Sequence, residues 1–101
     1  MPASTFDCPS NSQTHRDKPW LLYILECSDG SFYTGITNDL GRRFQEHNEG
    51  LASRYTRSRR PVRVRYLESY ESRSSALIRE CAVKLLSRKE KEVLVNSYKN
   101  N

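Results

Sequence analysis

The sequence predicts an α+β fold in which a three-stranded antiparallel β-sheet is flanked by helices. Two short apolar runs, at residues 20–27 and 32–37, surround an Asp-Gly pair, which is a strong β-hairpin signal. Residues 62–67 form a third run with alternating side chains. Apolar residues at helical spacing lie between and after these runs, and 101 residues suffice for one domain with a modest core.

The hairpin register decides which side chains share a face of the sheet. A three-residue turn at 28–30, with Gly30 in a left-handed conformation within a β-bulge, places Tyr23 and Tyr33 on one face. A two- or four-residue turn places them on opposite faces, because successive side chains of a strand alternate. A joint role for the two tyrosines requires the three-residue turn, and we predict that geometry.

Residues 39–48 are predicted to form a helix. Leu40 and Phe44 would hold this helix against the core. Arg43 and His47, which are four residues apart, would share the neighbouring face. The residues expected to bound the helix are Thr37 or Asn38 as the N-cap and Gly50 beyond the last turn.

The segment from 54 to 65 contains six arginines and no acidic residue. Its first part, up to Pro61, is predicted to be a loop. Its second part enters the third strand, in which Val62, Val64 and Tyr66 would lie on one side. Arg63, Arg65 and Leu67 would lie on the other side of the strand, which would therefore be basic.

Serine residues open both of the last two helices. Residues 72–75 offer caps for a helix that carries Glu80, and Ser87 with Glu90 forms a capping box for the final helix. Because the neighbours of Glu80 on its helix are apolar, its face is expected to border the core. Those neighbours are Leu77, Cys81 and Leu85, and the expected inward residues of the final helix are Val93, Leu94 and Tyr98.

The charge balance indicates a polyanionic partner. There are 17 lysine and arginine residues against 12 aspartate and glutamate residues, which gives a formal net charge of +5. A compact basic domain favours nucleic acid over a membrane as the partner, since no apolar run approaches the roughly 18 residues of a membrane span. Positive charge that serves only solubility is the alternative.

The cysteine content indicates a reducing compartment. Three cysteines are present, they form no C-x-x-C pair, and no signal-peptide pattern opens the sequence. A cytoplasmic location is therefore expected, and a zinc site is not. Residues 1–19, rich in Ser, Pro, Asn and Asp, are predicted to be a disordered leader to a folded domain at 20–101.

Two short motifs in the hairpin resemble those of a known enzyme family. Residues 23–25 (Tyr-Ile-Leu) and 33–35 (Tyr-Thr-Gly), with an arginine, a histidine and a glutamate at family spacing, resemble the GIY-YIG nuclease superfamily, most closely its small single-domain branch. The resemblance covers residues 20–95 and implies a metal-dependent DNA endonuclease. The catalytic residues that it implies are Tyr23, Tyr33, Arg43, His47 and Glu80.

The resemblance gives each of these residues an expected role. Glu80 would bind a divalent ion, Mg²⁺ or Mn²⁺, and Arg43 would make a two-point contact with the scissile phosphate. Tyr23 would act as general base or base relay, and Tyr33 would orient phosphate or water. His47 would orient water or relay a proton.

Other interpretations of the same residues stay open in the sequence. Glu80 is four residues from Lys84, the spacing of an ordinary helical ion pair, and tyrosines are common core residues of strands. Many relatives carry an asparagine in the helix after the glutamate. In this chain the position twelve residues after Glu80 is Glu92, and Asn96 is the nearest asparagine.

The arginine-rich segment predicts the form of the substrate. Tyr55 could stack on an unpaired base while neighbouring arginines contact phosphates, which favours single-stranded or locally unpaired DNA. The alternatives are a nuclease of duplex or branched DNA, a non-catalytic nucleic-acid-binding module, and an adaptor for an acidic protein. The expected substrate contacts are Gly35, Arg54, Tyr55, Arg57, Arg59 and Arg60.

Overall fold

The computed structural model describes residues 18–98 and confirms an α+β fold with a three-stranded antiparallel sheet flanked by helices. The elements in chain order are β1 (Trp20–Glu26), β2 (Phe32–Thr37), α1 (Leu40–Glu49), α2 (Arg54–Arg57), β3 (Arg63–Tyr70), α3 (Arg73–Lys84) and α4 (Arg88–Asn96). Residues 1–17 of the predicted leader lie outside the described residues. Within residues 18–98, no helix combines the length and the apolar character needed to cross a membrane.

The β1–β2 hairpin has the register that the sequence predicts. β1 is the central strand, with β2 and β3 antiparallel on either side of it. Tyr23 pairs with Gly35, and Tyr33 pairs with Leu25, so both tyrosines lie on the same face of the sheet. Gly30 completes the turn with φ of 85°, a left-handed conformation that is easily reached only without a Cβ. The prediction of a three-residue turn is confirmed.

The two faces of the sheet carry separate hydrophobic clusters. On one face, termed the α1 face, the sheet packs against Leu40 and Phe44 of α1. On the opposite face, termed the α3–α4 face, it packs against Val83 of α3 and Val95 of α4. β1 supplies the buried centre of both clusters, with Tyr23 and Leu25 on the α1 face and Leu22 and Ile24 on the α3–α4 face.

A β-bulge in β3 changes the face to which its side chains belong. Leu25 pairs with Val64 and the preceding residue, Ile24, pairs with Tyr66, so Arg65 is an extra residue in β3. Val64 therefore lies on the α1 face and Tyr66 lies on the α3–α4 face. The predicted common side for Val64 and Tyr66 is wrong, because strict alternation does not allow for an inserted residue.

The bulge also brings two arginines to one carboxylate. Glu26, at the end of β1, accepts hydrogen bonds from Arg65 and, at 2.9 Å, from Arg63 Nη2. The hydrogen bond from Arg63 holds the pKa of the Glu26 carboxyl below its usual value. The arginines that were expected to form a basic side of the strand are therefore engaged in an ion pair at the end of the sheet.

The ends of α1 follow local side-chain chemistry. Asp39 is the N-cap, since its carboxylate accepts the Arg42 amide at 3.2 Å, so the prediction of Thr37 or Asn38 is wrong. Thr37 instead accepts the amide of Asp39 at 3.0 Å, which turns the chain out of β2. Gly50 follows the last turn of the helix, as predicted.

The segment at 54–60 was predicted to be a loop, and this is wrong for its first half. α2 is a single helical turn beside α1, and its N-cap, Ser53, accepts the amides of Tyr55 and Thr56. Four residues are too few to show a hydrophobic period, so only the capping serine could have indicated this helix.

The last two helices begin where the sequence predicts. Ser72 caps α3, and Ser87 with Glu90 forms the capping box of α4. Within α4, Val95 is buried and Val93 is exposed, so the predicted inward position of Val93 is wrong. A helix buries positions three and four apart, and here that stripe runs through Leu94, Val95 and Tyr98.

Candidate active site

A chain of hydrogen bonds joins β1, α1 and α2 on the α1 face. The Tyr23 hydroxyl lies 2.9 Å from His47 Nε2, and His47 Nδ1 lies 2.8 Å from Thr56 Oγ1. The Thr56 hydroxyl also lies 3.3 Å from the carbonyl oxygen of Ser53. Tyr23, His47 and Thr56 are all buried. The fold therefore brings together two of the predicted catalytic residues and adds a third polar group behind them.

Gly35 makes room for the Tyr23 side chain. A Cβ at position 35 would lie 2.5 Å from the Tyr23 hydroxyl oxygen, a separation that real Cβ atoms essentially never show. The space beside Gly35 is thus occupied by the Tyr23 side chain, across the strand pair. Contact between Gly35 and substrate stays a prediction.

Burial keeps the two central groups neutral. It raises the pKa of the Tyr23 hydroxyl well above its usual value, Tyr33 raises that pKa further, and the Arg43 guanidinium opposes the shift. Burial also lowers the pKa of the His47 imidazole, and Arg43 adds to that effect. At neutral pH the pair is a neutral phenol beside a neutral imidazole. Within residues 18–98, His47 Nε2 is the hydrogen-bond partner to which the Tyr23 hydroxyl can pass a proton.

Aromatic rings extend the site from His47 towards α2. The centroid of the Tyr33 ring lies 5.0 Å from that of His47 and 6.0 Å from that of Tyr55. The Arg59 guanidinium covers the Tyr55 ring, 4.0 Å from its centroid. A base that uses this face of Tyr55 must displace Arg59 or stack upon it.

Arg43 carries an unsatisfied donor beside Tyr23 and His47. Its Nη1 pairs with Glu46 Oε1 at 3.3 Å. Its Nε is buried and has no hydrogen-bond partner within residues 18–98. Buried N–H groups are rarely left unpaired, so this guanidinium has the capacity to bind an anion.

Glu80 approaches the site from α3. Its carboxylate raises the pKa of the Tyr23 hydroxyl, in addition to the larger effects of burial and Tyr33. The prediction that this helix face borders the core is wrong for Cys81 and Leu85, which are exposed. The Glu80 side chain is nevertheless only 14% exposed, and it pairs with Lys84 Nζ at 3.3 Å.

The donor set at Glu80 fits a hard divalent ion that keeps most of its water. Within residues 18–98, no three His, Cys, Asp or Glu side chains cluster as metal ligands. An ion here would therefore be held by one carboxylate and by water or phosphate oxygens, which is how Mg²⁺ is often bound. Lys84 shares the carboxylate from an exposed position, with 54% of its side chain in solvent, and it can leave for water.

The arginines of α2 and of the segment after it differ in their availability. Arg59 Nε pairs with Asp29 Oδ2 at 3.0 Å, which ties the hairpin turn to α2. Arg60 Nε donates to the carbonyl oxygen of Arg57 at 2.9 Å. Arg54 and Arg57 are exposed, and neither side chain forms an ion pair in the part of the chain that the structure describes. These two are the arginines most available to a phosphate backbone.

The contacts of Asn96 and Glu92 lie away from Tyr23. Asn96 Oδ1 accepts a hydrogen bond from Arg65 at 3.2 Å, next to the Glu26 ion pair. Glu92 pairs with Arg88 at 2.9 Å along the surface of α4. The first contact joins α4 to β3, and the second is an ion pair within α4.

Two further residues of the site have a polar role that the sequence interpretation missed. Thr56 lies within the arginine-rich segment, which has no hydrophobic periodicity. The only indication of a helix there is Ser53, three residues earlier, which is a suitable N-cap residue. Glu46 lies three residues after Arg43 on a predicted helix. That spacing could have indicated their ion pair.

The fold and the site together define a small nuclease-type domain, built on a hairpin with two tyrosines and completed by helical arginine, histidine and glutamate side chains. The chain belongs to the GIY-YIG family, since the GIY-YIG catalytic domain matches residues 19–93. Family membership implies a DNA nuclease of a superfamily that generally uses divalent metals.

Relatives of this chain are UPF0213 proteins. One from Halobacterium salinarum is 52% identical over 73 residues, which are 72% of this chain and 95% of that protein. One from Xanthomonas axonopodis pv. citri is 53% identical over 74 residues, which are 73% of this chain and 72% of that protein. The solution NMR structure of a UPF0213 protein from Bacillus halodurans is 43% identical, with a TM-score of 0.54, and covers 81% of this chain and 87% of that one.

Proposed function

We propose that the protein is a divalent-metal-dependent DNA endonuclease that prefers single-stranded or locally unpaired DNA. The observation that carries this proposal is the buried Tyr23–His47 hydrogen bond of 2.9 Å, beside an Arg43 guanidinium whose Nε has no partner within residues 18–98. A route for a proton and a group that binds anions thus lie side by side. Hydrolysis of a phosphodiester needs both.

The site residues divide the reaction among them. Arg43 binds the scissile phosphate and stabilises the charge that develops on its oxygens. Tyr23 takes a proton from the attacking water as its own proton passes to His47 along the 2.9 Å hydrogen bond that joins the two groups. Tyr33, on the same face as Tyr23, orients the phosphate or the water.

Glu80 is the residue that would hold Mg²⁺ or Mn²⁺. When bound, such an ion neutralises charge on the phosphate. Glu80 suits this role because its carboxylate lies near the Tyr23 hydroxyl and is paired within residues 18–98 only with an exposed lysine.

Cleavage of labelled oligonucleotides with Mg²⁺ or Mn²⁺ tests the function directly. Cleavage that requires the metal and stops when a chelator is added would support the proposal. Binding without cleavage would indicate a non-catalytic nucleic-acid-binding module, and a protein that neither binds nor cuts DNA would favour an adaptor for an acidic protein. The assay should be run in a reducing buffer, since we propose a cytoplasmic location and both Cys27 and Cys81 are free thiols.

Side chains of α2 and of the segment after it support a preference for unpaired DNA. Tyr55 and Arg59 offer an aromatic ring and a guanidinium plane to a base, and the exposed Arg54 and Arg57 can contact successive phosphates. α1, by contrast, buries His47 in the site, and for this reason we do not propose it as a helix that enters a major groove.

Matched single-stranded, duplex and branched oligonucleotides, compared at one salt concentration, test this preference. Tyr55→Ala should weaken single-strand binding by about 1–3 kcal/mol if a base stacks at this position. Tyr55→Phe keeps the ring and should bind like the parent. Faster cutting of plain duplex than of single strands would overturn the preference and favour a nuclease of duplex DNA.

A further inference from the structure

We propose that Thr56 is a positioning residue that fixes the tautomer of His47, so that His47 Nε2 is the atom that accepts the Tyr23 proton. The inference rests on the proposed nuclease function and deepens it. It is carried by the contacts of 2.9 Å, 2.8 Å and 3.3 Å that link Tyr23, His47, Thr56 and the Ser53 carbonyl. Which nitrogen of a histidine bears the proton is set by the hydrogen bond that the other nitrogen makes.

The hydrogens of this chain can be arranged in two directions, and one of them satisfies every group. If Tyr23 donates to His47 Nε2, then Nδ1 carries the imidazole hydrogen and donates it to Thr56 Oγ1. Thr56 in turn donates its hydroxyl hydrogen to the carbonyl oxygen of Ser53. Three donors then meet three acceptors.

The opposite direction leaves a buried donor without a partner. Thr56 would donate to Nδ1, and Nε2 would donate to the Tyr23 hydroxyl oxygen. The Tyr23 hydrogen would then have no acceptor among residues 18–98, because the only hydrogen-bond partner of this hydroxyl there is His47 and the residue is 3% exposed. Buried donors are seldom left in that state, so the first direction is favoured.

The single turn of α2 holds Thr56 in place for this task. Thr56 has no exposed surface. Ser53 accepts the Thr56 amide at 3.4 Å and, through its carbonyl oxygen, the amide of Arg57 at 3.0 Å. The N-cap Ser53 therefore holds the turn that carries Thr56, through both its side-chain hydroxyl and its carbonyl oxygen.

The proton transfer balances with this tautomer. Water gives a proton to the Tyr23 oxygen while the Tyr23 hydroxyl proton moves to His47 Nε2. The resulting hydroxide oxygen forms a bond to phosphorus, and the bond from phosphorus to the leaving oxygen breaks with its electron pair. The leaving oxygen takes a proton from solvent. The imidazolium keeps its Nδ1 hydrogen, which stays hydrogen-bonded to Thr56 Oγ1. The proton added at Nε2 later returns to solvent through Tyr23.

Nitrogen NMR of the full chain tests the tautomer without reference to activity. In protein labelled with ¹⁵N-histidine, the protonated and unprotonated nitrogens of a neutral imidazole give well-separated signals. The chain has two histidines, and a His15→Gln variant identifies the signals of His47. We expect Nδ1 to be protonated and Nε2 to be unprotonated at neutral pH. A parent protein with the hydrogen on Nε2 would overturn the proposal.

Substitution of Thr56 tests its role in positioning His47. Thr56→Val keeps the shape but removes the acceptor for Nδ1, so the hydrogen should move to Nε2 and kcat should fall by about 10²-fold with KM little changed. Thr56→Ser restores a hydroxyl and should recover both the native tautomer and most of the rate. Thr34→Val is the matched control, since Thr34 is a buried threonine on the α3–α4 face whose hydroxyl has no partner within residues 18–98.

The outcomes separate this inference from the nuclease function. A Thr56→Val protein that keeps both the Nδ1 hydrogen and the parental rate would overturn the role of Thr56. If that variant does not fold, the parent spectrum and the Thr56→Ser variant decide the question. A parent that cuts no DNA under any metal condition would overturn the proposed function, while the spectra would still decide the tautomer.

Discussion

Two polar networks lie on opposite faces of the same sheet, and they differ in how completely their groups are paired. On the α3–α4 face, Glu68 accepts hydrogen bonds from the hydroxyls of Tyr66 and, at 2.6 Å, Tyr70. It also accepts two from Arg79, at 3.0 and 3.1 Å. Four donors therefore surround this carboxylate, and two of them belong to the positively charged guanidinium of Arg79.

The network on the α1 face is neutral at its centre and incomplete at its edge. Tyr23 and His47 share one hydrogen bond between uncharged groups. Beside them, Arg43 Nε has no partner within residues 18–98, and Glu80 is paired with an exposed lysine.

The difference shows what distinguishes a stabilising network from one that can react. Burial, and then the hydrogen bond to Glu68, raise the pKa of Tyr66 to about 12, and burial raises that of Tyr23 as well. Both tyrosines therefore stay protonated at neutral pH. Tyr66 faces a carboxylate that is already occupied by Arg79, whereas Tyr23 faces a neutral imidazole that can receive a proton. In the proposed mechanism, only the second arrangement transfers a proton.

The largest expected effect comes from removal of the carboxylate that would hold the metal. Glu80→Ala should abolish cleavage, roughly a 10³-fold loss or more, because charge neutralisation by a metal is worth several kcal/mol. DNA binding should persist, since other basic residues supply most of the affinity. Glu92→Ala is the matched control, because it removes a similar helical ion pair outside the site. Equal cleavage by Glu80→Ala and the parent would refute the metal role.

The tyrosine hydroxyls come next. Tyr23→Phe and Tyr33→Phe should each keep the fold and slow single-turnover cleavage by about 10²-fold or more, which is typical of a lost general base. Tyr70→Phe removes a hydroxyl from the other network and should leave the rate unchanged. If both site variants cleave at the parental rate, the hydroxyls serve packing alone.

The Glu68 network should affect stability and not catalysis. Glu68→Gln removes the charge that pairs with Arg79 and leaves at least one buried donor poorly matched. We expect the free energy of unfolding to fall by about 1–3 kcal/mol, measured in urea. Cleavage well below the melting temperature should be unchanged. A variant as stable as the parent would show that the saturated network contributes little to stability.

The smallest effect is a dependence of stability on pH that arises from His47. Its pKa in the folded protein is lower than the ordinary value of 6.5, so the unfolded chain binds a proton more readily. The contribution of His47 to the free energy of unfolding is therefore fully present above pH 6.5. It falls as the pH drops below that value, by at most about 1.4 kcal/mol per pH unit. Urea titrations across this range should show the slope in the parent, and His47→Gln should reduce it.

The site face of the hairpin could be predicted because local chemistry decides it. Gly30 in the turn sets an odd loop length, and that length alone puts Tyr23 and Tyr33 on one face. The spacing of Arg43 and His47 is likewise a property of a helix whose period is visible in the sequence. In both cases the relevant residues are close together in the chain.

The parts that were missed depend on contacts between distant residues. The bulge at Arg65 exists because β3 pairs with β1, some forty positions earlier, and no local pattern announces an extra residue. Thr56 is important because α2 places it against His47, yet it stands in a basic stretch without periodicity. The rotation of α4 that exposes Val93 is set by packing on the sheet, which a short helix does not encode by itself.

The bulge makes one position of β3 tolerant of a change in length. If Arg65 were deleted, Val64 and Tyr66 would become consecutive residues and would still point to opposite faces by ordinary alternation. A deletion further along β3 could also be compensated by loss of the bulge. In that case, the side chains between the bulge and the deletion would each have to move to the opposite face of the sheet. A related chain without the extra residue would thus keep both hydrophobic clusters, and it would lose one of the two arginines on Glu26.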